Sequence, residues 1–327
     1  MDGLPQKQVQ TPSALPQSVC EMFIPVYASV MLTLEQLAGL HTAHRAAAAA
    51  RVQEFSLDGK TFDFNARRAV MGVVNLSADS WYRESVCLSA AAAIQRGRVL
   101  AAQGADIIDV GAESTLAHAA RAGQSAQKSK LLPVIRGLRA DKILVSVETY
   151  SPAVTRASLE AGANVLNLTG TVASRQIYQL VAAHDAAVIL CYVAGRNVRE
   201  VSDFNLQSDP IPPLREFFAR QIELAQRNGV RKIILDPGLG FYYRNLQDSA
   251  VRVRHQMNVF LNTFRLRELG FPVCHALPHA FEYFREEVRC AEPFFAVLAA
   301  LGKTDLFRTH EVPRIRAVLD ALAGGEI

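Results

Sequence analysis

From residue 70 onward the chain alternates two kinds of apolar pattern. Short, nearly continuous apolar runs fall at 70–75, 106–111, 143–149, 164–168, 187–193, 232–236, 272–276 and 305–310. Parallel strands covered by helices on both faces read this way. Between them lie stretches of helical pattern and composition at 89–104, 126–139, 152–162, 174–185, 214–229, 247–269 and 287–302, with a last one at 313–323. Eight strand-then-helix units in roughly 250 residues predict an α/β fold, a (β/α)8 TIM barrel. A doubly wound sheet uses the same alternation, and the count of units does not prove closure.

The segment ahead of the barrel is patterned differently. Residues 33–51 are dominated by Ala, Leu, Glu and Arg and predict a helix. Residues 54–66 alternate apolar and polar around Asp58-Gly59, a hairpin signal. The expected division is an N-terminal extension over 1–53, partly flexible and partly helical, and a barrel with its own N-terminal hairpin over 54–327.

Composition narrows the function classes. The chain has 327 residues, 50% hydrophobic and 20% charged, an ordinary globular balance. No apolar run is long enough to predict a membrane span. The first residues lack the basic flank and apolar stretch of a secretory signal. Five cysteines, at 20, 87, 191, 274 and 290, form no CxxC pair, which fits reduced thiols and a cytoplasmic protein. The net charge of +4 comes without a basic run, so an anionic small substrate is expected rather than nucleic acid.

In a TIM barrel, chemistry collects at the C-terminal strand ends. Here those ends carry Asn75, Glu148, Asn167, Asp236, Arg308 and His310, and the second strand runs out through Glu113, Ser114 and Thr115. Carboxylates and an amide (Glu148, Asn167, Asp236) suit the donor-rich edge of a flat heterocycle. A guanidinium and an imidazole (Arg308, His310) suit phosphate oxygens. Asn75 offers an oxygen to a metal or an amide to an anion.

These residues sit in recognisable strings. Met71-Gly72-Val73-Val74-Asn75-Leu76-Ser77-Ala78-Asp79-Ser80 resembles the MGILNVTPDSF opening of dihydropteroate synthases. The run from Gly104 to Thr115 resembles GADIIDIGGEST, and Val145 to Tyr150 resembles SVDTY. Asn164 to Asn167 is similar to the strand ending in INDI, Leu235 to Phe241 to LDPGIGF, and Arg308 to Val312 to RVHDV. The hairpin before Val70 has a counterpart in the same enzymes. The ordered set spans about residues 54–323, and the DPGxGF string is its sharpest piece.

The resemblance implies a pterin site at Glu148, Asn167 and Asp236. It implies a pyrophosphate site at Asn75, Thr115, Arg308 and His310, with Mg²⁺ at Asn75. Asn75, Arg308 and His310 would carry catalysis. The implied reaction joins a pterin-CH₂-pyrophosphate to an aryl amine and releases pyrophosphate, by electrostatic stabilisation of the leaving group. Family members are often homodimers formed through barrel helices; the apolar stretch 287–302 reads as packing on the barrel, with a dimer surface as the sharper alternative.

The departures cluster. Glu148 replaces the family's aspartate, moving a carboxylate by about 1.5 Å. The family's Ser-Arg-Lys after the seventh strand is absent, with Pro278-His279-Ala280 in its place. The Arg-Pro after the GGEST string is replaced by Leu116-Ala117, the first loop ends in Ser80-Trp81, and Leu168 replaces the aspartate of the ND pair. His275 and His279 are candidate substitute donors, and Arg196 and Arg199 in the long loop 194–213 are candidate phosphate contacts. The pterin and phosphate half is kept while the aryl-amine half is rewritten. The expected function is therefore a dihydropteroate synthase-like transferase with an altered acceptor or pterin, of folate or methanopterin type. A non-catalytic pterin-binding or scaffold homologue is the alternative. A methyltetrahydrofolate–corrinoid methyltransferase relative fits less well, because Arg308 and His310 would have no leaving group to hold.

Overall fold

A computed structural model describes residues 32–77, 82–114, 121–201, 203, 207–240, 243, 246 and 248–324. The chain divides into two units, residues 1–44 and 45–327. In the first, α1 (Leu34–Ala43) begins with a capping box: the Thr33 hydroxyl accepts from the Gln36 N–H while the Gln36 side chain accepts from the Thr33 N–H. The helix expected over 33–51 is broken at His44, whose backbone leaves helical geometry. The remainder is a short second helix, α2 (Arg45–Ala48).

In the second unit, α2 is followed by the expected hairpin, β1 (Phe55–Leu57) paired antiparallel to β2 (Lys60–Phe62). Asp58 and Gly59 both adopt positive φ, as a two-residue type I′ turn requires. Phe55, Phe62 and Phe64 pack on one another and join a cluster with Met71, Ile107 and Leu306 of the barrel strands. Lys60 reaches Asp106 at 2.8 Å. The hairpin thus covers the N-terminal end of the barrel.

Eight parallel strands follow: β3 (Ala69–Asn75), β4 (Ile107–Gly111), β5 (Val145–Glu148), β6 (Val165–Leu168), β7 (Ala187–Cys191), β8 (Lys232–Asp236), β9 (Cys274–Ala276) and β10 (Leu306–Thr309). Each pairs with its neighbour in chain order, and β10 returns to pair with β3. Between β8 and β9 the ring is closed by the single Leu235–Val273 bridge and the Leu235 N–H to Pro272 carbonyl bond of 2.9 Å. This closure excludes the open doubly wound sheet.

The covering helices are α3 (Ala90–Ala102), α4 (Gln124–Ala140), α5 (Pro152–Glu160), α6 (Ser174–Ala183), α7 (Ile211–Arg227), α8 (Ser249–Asn262), α9 (Phe281–Phe284), α10 (Ala291–Leu301) and α11 (Val312–Gly324). The apolar 247–269 stretch is two pieces: α8 tightens to 3-10 geometry over Thr263–Leu269. Likewise the start of the expected 287–302 helix is a 3-10 stretch, Arg285–Cys290. Among the described residues, no helix is long and apolar enough to cross a membrane.

Candidate active site

Strand register assembles the site. Asn75 lies opposite Gly111, Gly111 opposite Glu148, and Glu148 opposite Asn167, so one row crosses four adjacent strands at the C-terminal mouth. Gly111 brings no side chain between Asn75 and Glu148, which leaves the space between them open. The pocket above this row is lined by Asn75, Glu148, Arg308 and His310, together with Glu113, Arg252, Gln256 and His279.

Arg308 is the hub. Its Nη1 lies 3.4 Å from Asp109 Oδ2 and 3.4 Å from Glu148 Oε2. Charge-assisted bonds usually close to about 2.7–2.9 Å, so neither contact is tight. Burial pushes the Glu148 and Asp236 carboxyls above the usual carboxylate range, against the pull of Arg308, and the neighbouring Asp109 adds to the rise. Arg308 itself stays charged: the surrounding carboxylates outweigh its burial. Three carboxyl groups therefore share one guanidinium, which leaves the floor of the mouth rich in acceptors.

Asn167 and Asp236 lie deeper than the sequence pattern implied. Neither lines the pocket, and both are almost wholly buried. The Asn167 amide donates to Asp109 at 3.0 Å and its oxygen accepts from the Cys191 thiol. Asp236 Oδ1 accepts the Gly238 N–H at 2.8 Å, so the carboxylate shapes its own Asp-Pro-Gly turn.

At the rim, His310 stacks on Tyr82 with ring centroids 4.5 Å apart. Its Nδ1 is 2.8 Å from Glu292 Oε1, and its backbone N–H also donates to Glu292. The Thr309 hydroxyl donates to the same carboxylate. Asn75 donates its amide to Ser85 Oγ at 2.6 Å, and Ser85 in turn donates to the Tyr82 carbonyl. With its nitrogen committed, Asn75 has its oxygen left for a ligand.

Several expectations are settled here. His275 is a core residue, fully buried with Nε2 2.7 Å from Thr263 Oγ1, and burial lowers its pKa to about 3. His279 does line the pocket, and burial lowers its pKa to about 4, so it is neutral at neutral pH. Arg199 donates to the Ser114 carbonyl at 2.7 Å, and Arg196 is exposed beside Glu200. Neither lines the pocket. Thr115, Leu116-Ala117, residues 78–81 and Phe241 lie outside the described residues. The four described cysteines are free thiols.

The pattern of the pterin binding enzyme family matches residues 71–275. A dihydropteroate synthase from Synechocystis is 32% identical over 276 residues, covering 80% of this chain and 92% of that protein. The chain belongs to the dihydropteroate synthase family. It is a pterin-binding, dihydropteroate synthase-like transferase. A second relative, the dihydropteroate synthase of Clostridium beijerinckii, is 31% identical over 224 residues, covering 66% of this chain and 76% of that protein. Among solved structures, the Xanthomonas albilineans dihydropteroate synthase with 4-aminobenzoic acid superposes with a TM-score of 0.69 at 26% identity, covering 84% of this chain and 99% of that one.

Three functional candidates were not among the predicted site residues. Asp109 is the inward-facing acid of an otherwise apolar strand, and that interruption was the available signal. Glu292 is buried at the start of α10, in a stretch whose apolar character pointed to packing. Arg252 on α8 enters the pocket wall with its guanidinium held by both oxygens of Glu282, at 3.1 and 2.9 Å. Nothing in the local sequence distinguishes Arg252 from the surface arginines around it.

Proposed function

We propose that the pocket binds a pterin-CH₂-pyrophosphate and transfers the pterin methylene to an amine. The methylene–oxygen bond breaks with its electron pair leaving on pyrophosphate. The amine lone pair forms the new carbon–nitrogen bond, and the amine proton passes to solvent.

The observation that carries this reading is the vertical ordering of charge. Carboxyl groups (Glu148, Asp109 and Asp236) lie at and below the floor, with the Asn167 amide donating to Asp109, and Arg308 and His310 lie at its edge. A donor-rich heterocycle satisfies the acceptors and displaces the stretched Arg308 contacts. Arg308 then faces the departing phosphates with its fork of N–H groups. Glu292 fixes the orientation of the His310 ring beside the same phosphates, so little reorganisation is needed when the bond breaks.

Magnesium fits this arrangement as a partner of the substrate. Among the described residues, no three acidic, histidine or cysteine side chains cluster to hold a metal alone. Mg²⁺ generally takes few protein ligands and completes its shell with water and substrate phosphates. The free oxygen of Asn75 is the protein ligand we assign, and the ion would supply charge neutralisation of pyrophosphate.

The acceptor is an amine other than p-aminobenzoate in our reading. Pro278-His279-Ala280 stand in place of the family's lysine-bearing motif, and Arg252 lines the same pocket as Pro278 and His279. Exposed Phe294, Val297 and Leu301 on α10 support a homodimer through that helix. The reduced thiols are in keeping with a cytoplasmic setting.

The test is calorimetric titration with 6-hydroxymethyl-7,8-dihydropterin pyrophosphate, with and without Mg²⁺, on the wild type and Arg308→Ala. Micromolar binding that needs Mg²⁺ and Arg308 is expected. Absence of binding under both conditions overturns the assignment. Product formation with p-aminobenzoate at rates typical of enzymes, about 1 s⁻¹ or above, would refute the altered acceptor.

A further inference from the structure

The opposite end of the barrel carries a second charged cavity. It lies where the chain enters β3 and β10, and has a volume of about 140 Å³. Arg68, Arg267, Lys303, Thr304 and Asp305 are among its walls. Arg67, also on the wall, reaches Asp106 at 3.2 Å, a carboxylate it shares with Lys60 and Arg316.

The remaining charges do not balance. Arg267 pairs with Asp305 at 3.3 Å and also donates to Asn65 at 3.1 Å. Arg68 donates to the Ala300 carbonyl at 3.2 Å, and Lys303 donates to the Ala48 carbonyl. Among the described residues, these three cations thus face one carboxylate, and their other partners are neutral. Arg267 repels both Arg68 and Lys303, which adds to the effect of burial in holding both below their ordinary pKa values.

Two buried polar atoms point to what is missing. Among the described residues, the hydroxyl of Thr304 (1% exposed) and the Nε–H of Arg267 (6% exposed) have no hydrogen-bond partner. Leaving such donors unsatisfied costs roughly 1–3 kcal/mol each. A neutral guest would meet the donors and leave the excess charge. A tetrahedral oxyanion meets both demands: it accepts from several N–H and O–H groups at once and neutralises the local surplus. Arg68 is exposed at the rim and gives the anion a route in.

We propose that this cavity is a binding site for a small phosphate-class oxyanion, held by Arg68, Arg267, Lys303 and the Thr304 hydroxyl. It is separate from the mouth, because Asn75 and Arg308 lie toward the other ends of β3 and β10. The proposal does not depend on the pterin reading.

The test titrates the full chain with inorganic phosphate, and separately with pyrophosphate, at constant ionic strength. Arg308→Ala removes the guanidinium at the mouth, so the heat that survives reports the other end. Saturable binding is expected to persist in Arg308→Ala and to weaken at least tenfold when Thr304→Val or Arg68→Gln is added. Thr304→Val keeps the shape of the buried side chain and removes only the hydroxyl. Loss of all binding in Arg308→Ala overturns the proposal, as does binding unchanged by both cavity substitutions. If Arg308→Ala does not fold, the same titrations on the wild type and Thr304→Val decide, and identical isotherms overturn it. A preference for pyrophosphate over phosphate would mark the reaction's proposed product as the occupant, and the reverse would mark free phosphate.

Discussion

Glu292 and His310 form the most closely organised pair at the barrel mouth, with Oε1 2.8 Å from Nδ1 and the same carboxylate accepting the His310 backbone N–H. The acid comes from the start of α10 and the imidazole from the end of β10, 18 residues apart. A carboxylate that accepts from Nδ1–H fixes the tautomer and orientation of the ring. Glu292 therefore positions His310 rather than touching substrate.

Glu292→Gln should preserve folding, because an amide still accepts from Thr309 and from the His310 backbone. Orientation of the ring should suffer, and misplacement of that kind can cost about a hundredfold in rate. The expected signature is a fall in kcat with a small change in KM, measured by initial rates with the pterin pyrophosphate varied. Equal losses in Glu292→Gln and Glu292→Ala, both accompanied by a lowered Tm, would mark the residue as merely structural.

Arg308→Ala leaves Asp109 buried with no cation beside it. Breaking a buried pair in this way costs about 3–5 kcal/mol. The loss should be greater at pH 8 than at pH 5, since burial raises the pKa of the neighbouring Glu148 and Asp236 carboxyls, and they take up protons as the pH falls. Urea denaturation at the two pH values checks this.

Ligand binding should depend on pH through Glu148. Burial raises the pKa of this carboxyl in the fold, and only the ionised form accepts from ligand N–H groups on both oxygens. Affinity for the pterin should fall as pH drops through that raised pKa, and Glu148→Gln should flatten the profile. The stability contribution has the opposite sense: with its folded pKa above the unfolded value, protonated Glu148 favours the fold at low pH, and that contribution is lost as pH rises.

Asp305 offers the same test away from the mouth. Burial raises its pKa from 3.8 to about 7. Its contribution to stability is present below the unfolded value and disappears as pH rises through the folded one. Asp305→Asn should therefore show a smaller fall in stability between about pH 4 and pH 8 than the wild type, read by chemical denaturation. A slope identical to the wild type's would show that the carboxyl ionises normally.

Gly302→Ala should be among the most damaging single-methyl changes. A Cβ built there would lie 1.7 Å from the Phe260 carbonyl oxygen, a backbone atom that cannot swing aside. Overpacking generally costs about 1–3 kcal/mol, and a backbone clash sits at or beyond the upper end. The measurement is Tm by calorimetry.

Much of the architecture was legible because it is written locally. Continuous apolar runs marked all eight barrel strands, Asp58-Gly59 marked the hairpin turn, and strand-end polar residues marked Asn75, Glu148, Arg308 and His310. Depth was not legible: Asp236 ends its strand as Glu148 does, and Asn167 lies one residue before the end of its own, yet both lie below the pocket floor. Which strand-end residues reach the mouth depends on how far each strand extends past its neighbours.

By itself, then, the sequence determined the succession of strands and helices, the family, and the residue types available at the mouth. Those follow from backbone periodicity and turn chemistry, which act over a few residues. The tertiary structure alone decided closure through the Leu235–Val273 bridge, the meeting of Asp109 and Arg308 across 199 residues of chain, the hold of Glu292 on His310, and the unbalanced cations at the opposite end. Such contacts are set by strand register and barrel curvature, and a linear pattern carries no record of which distant side chains a closed ring brings to within a few ångströms.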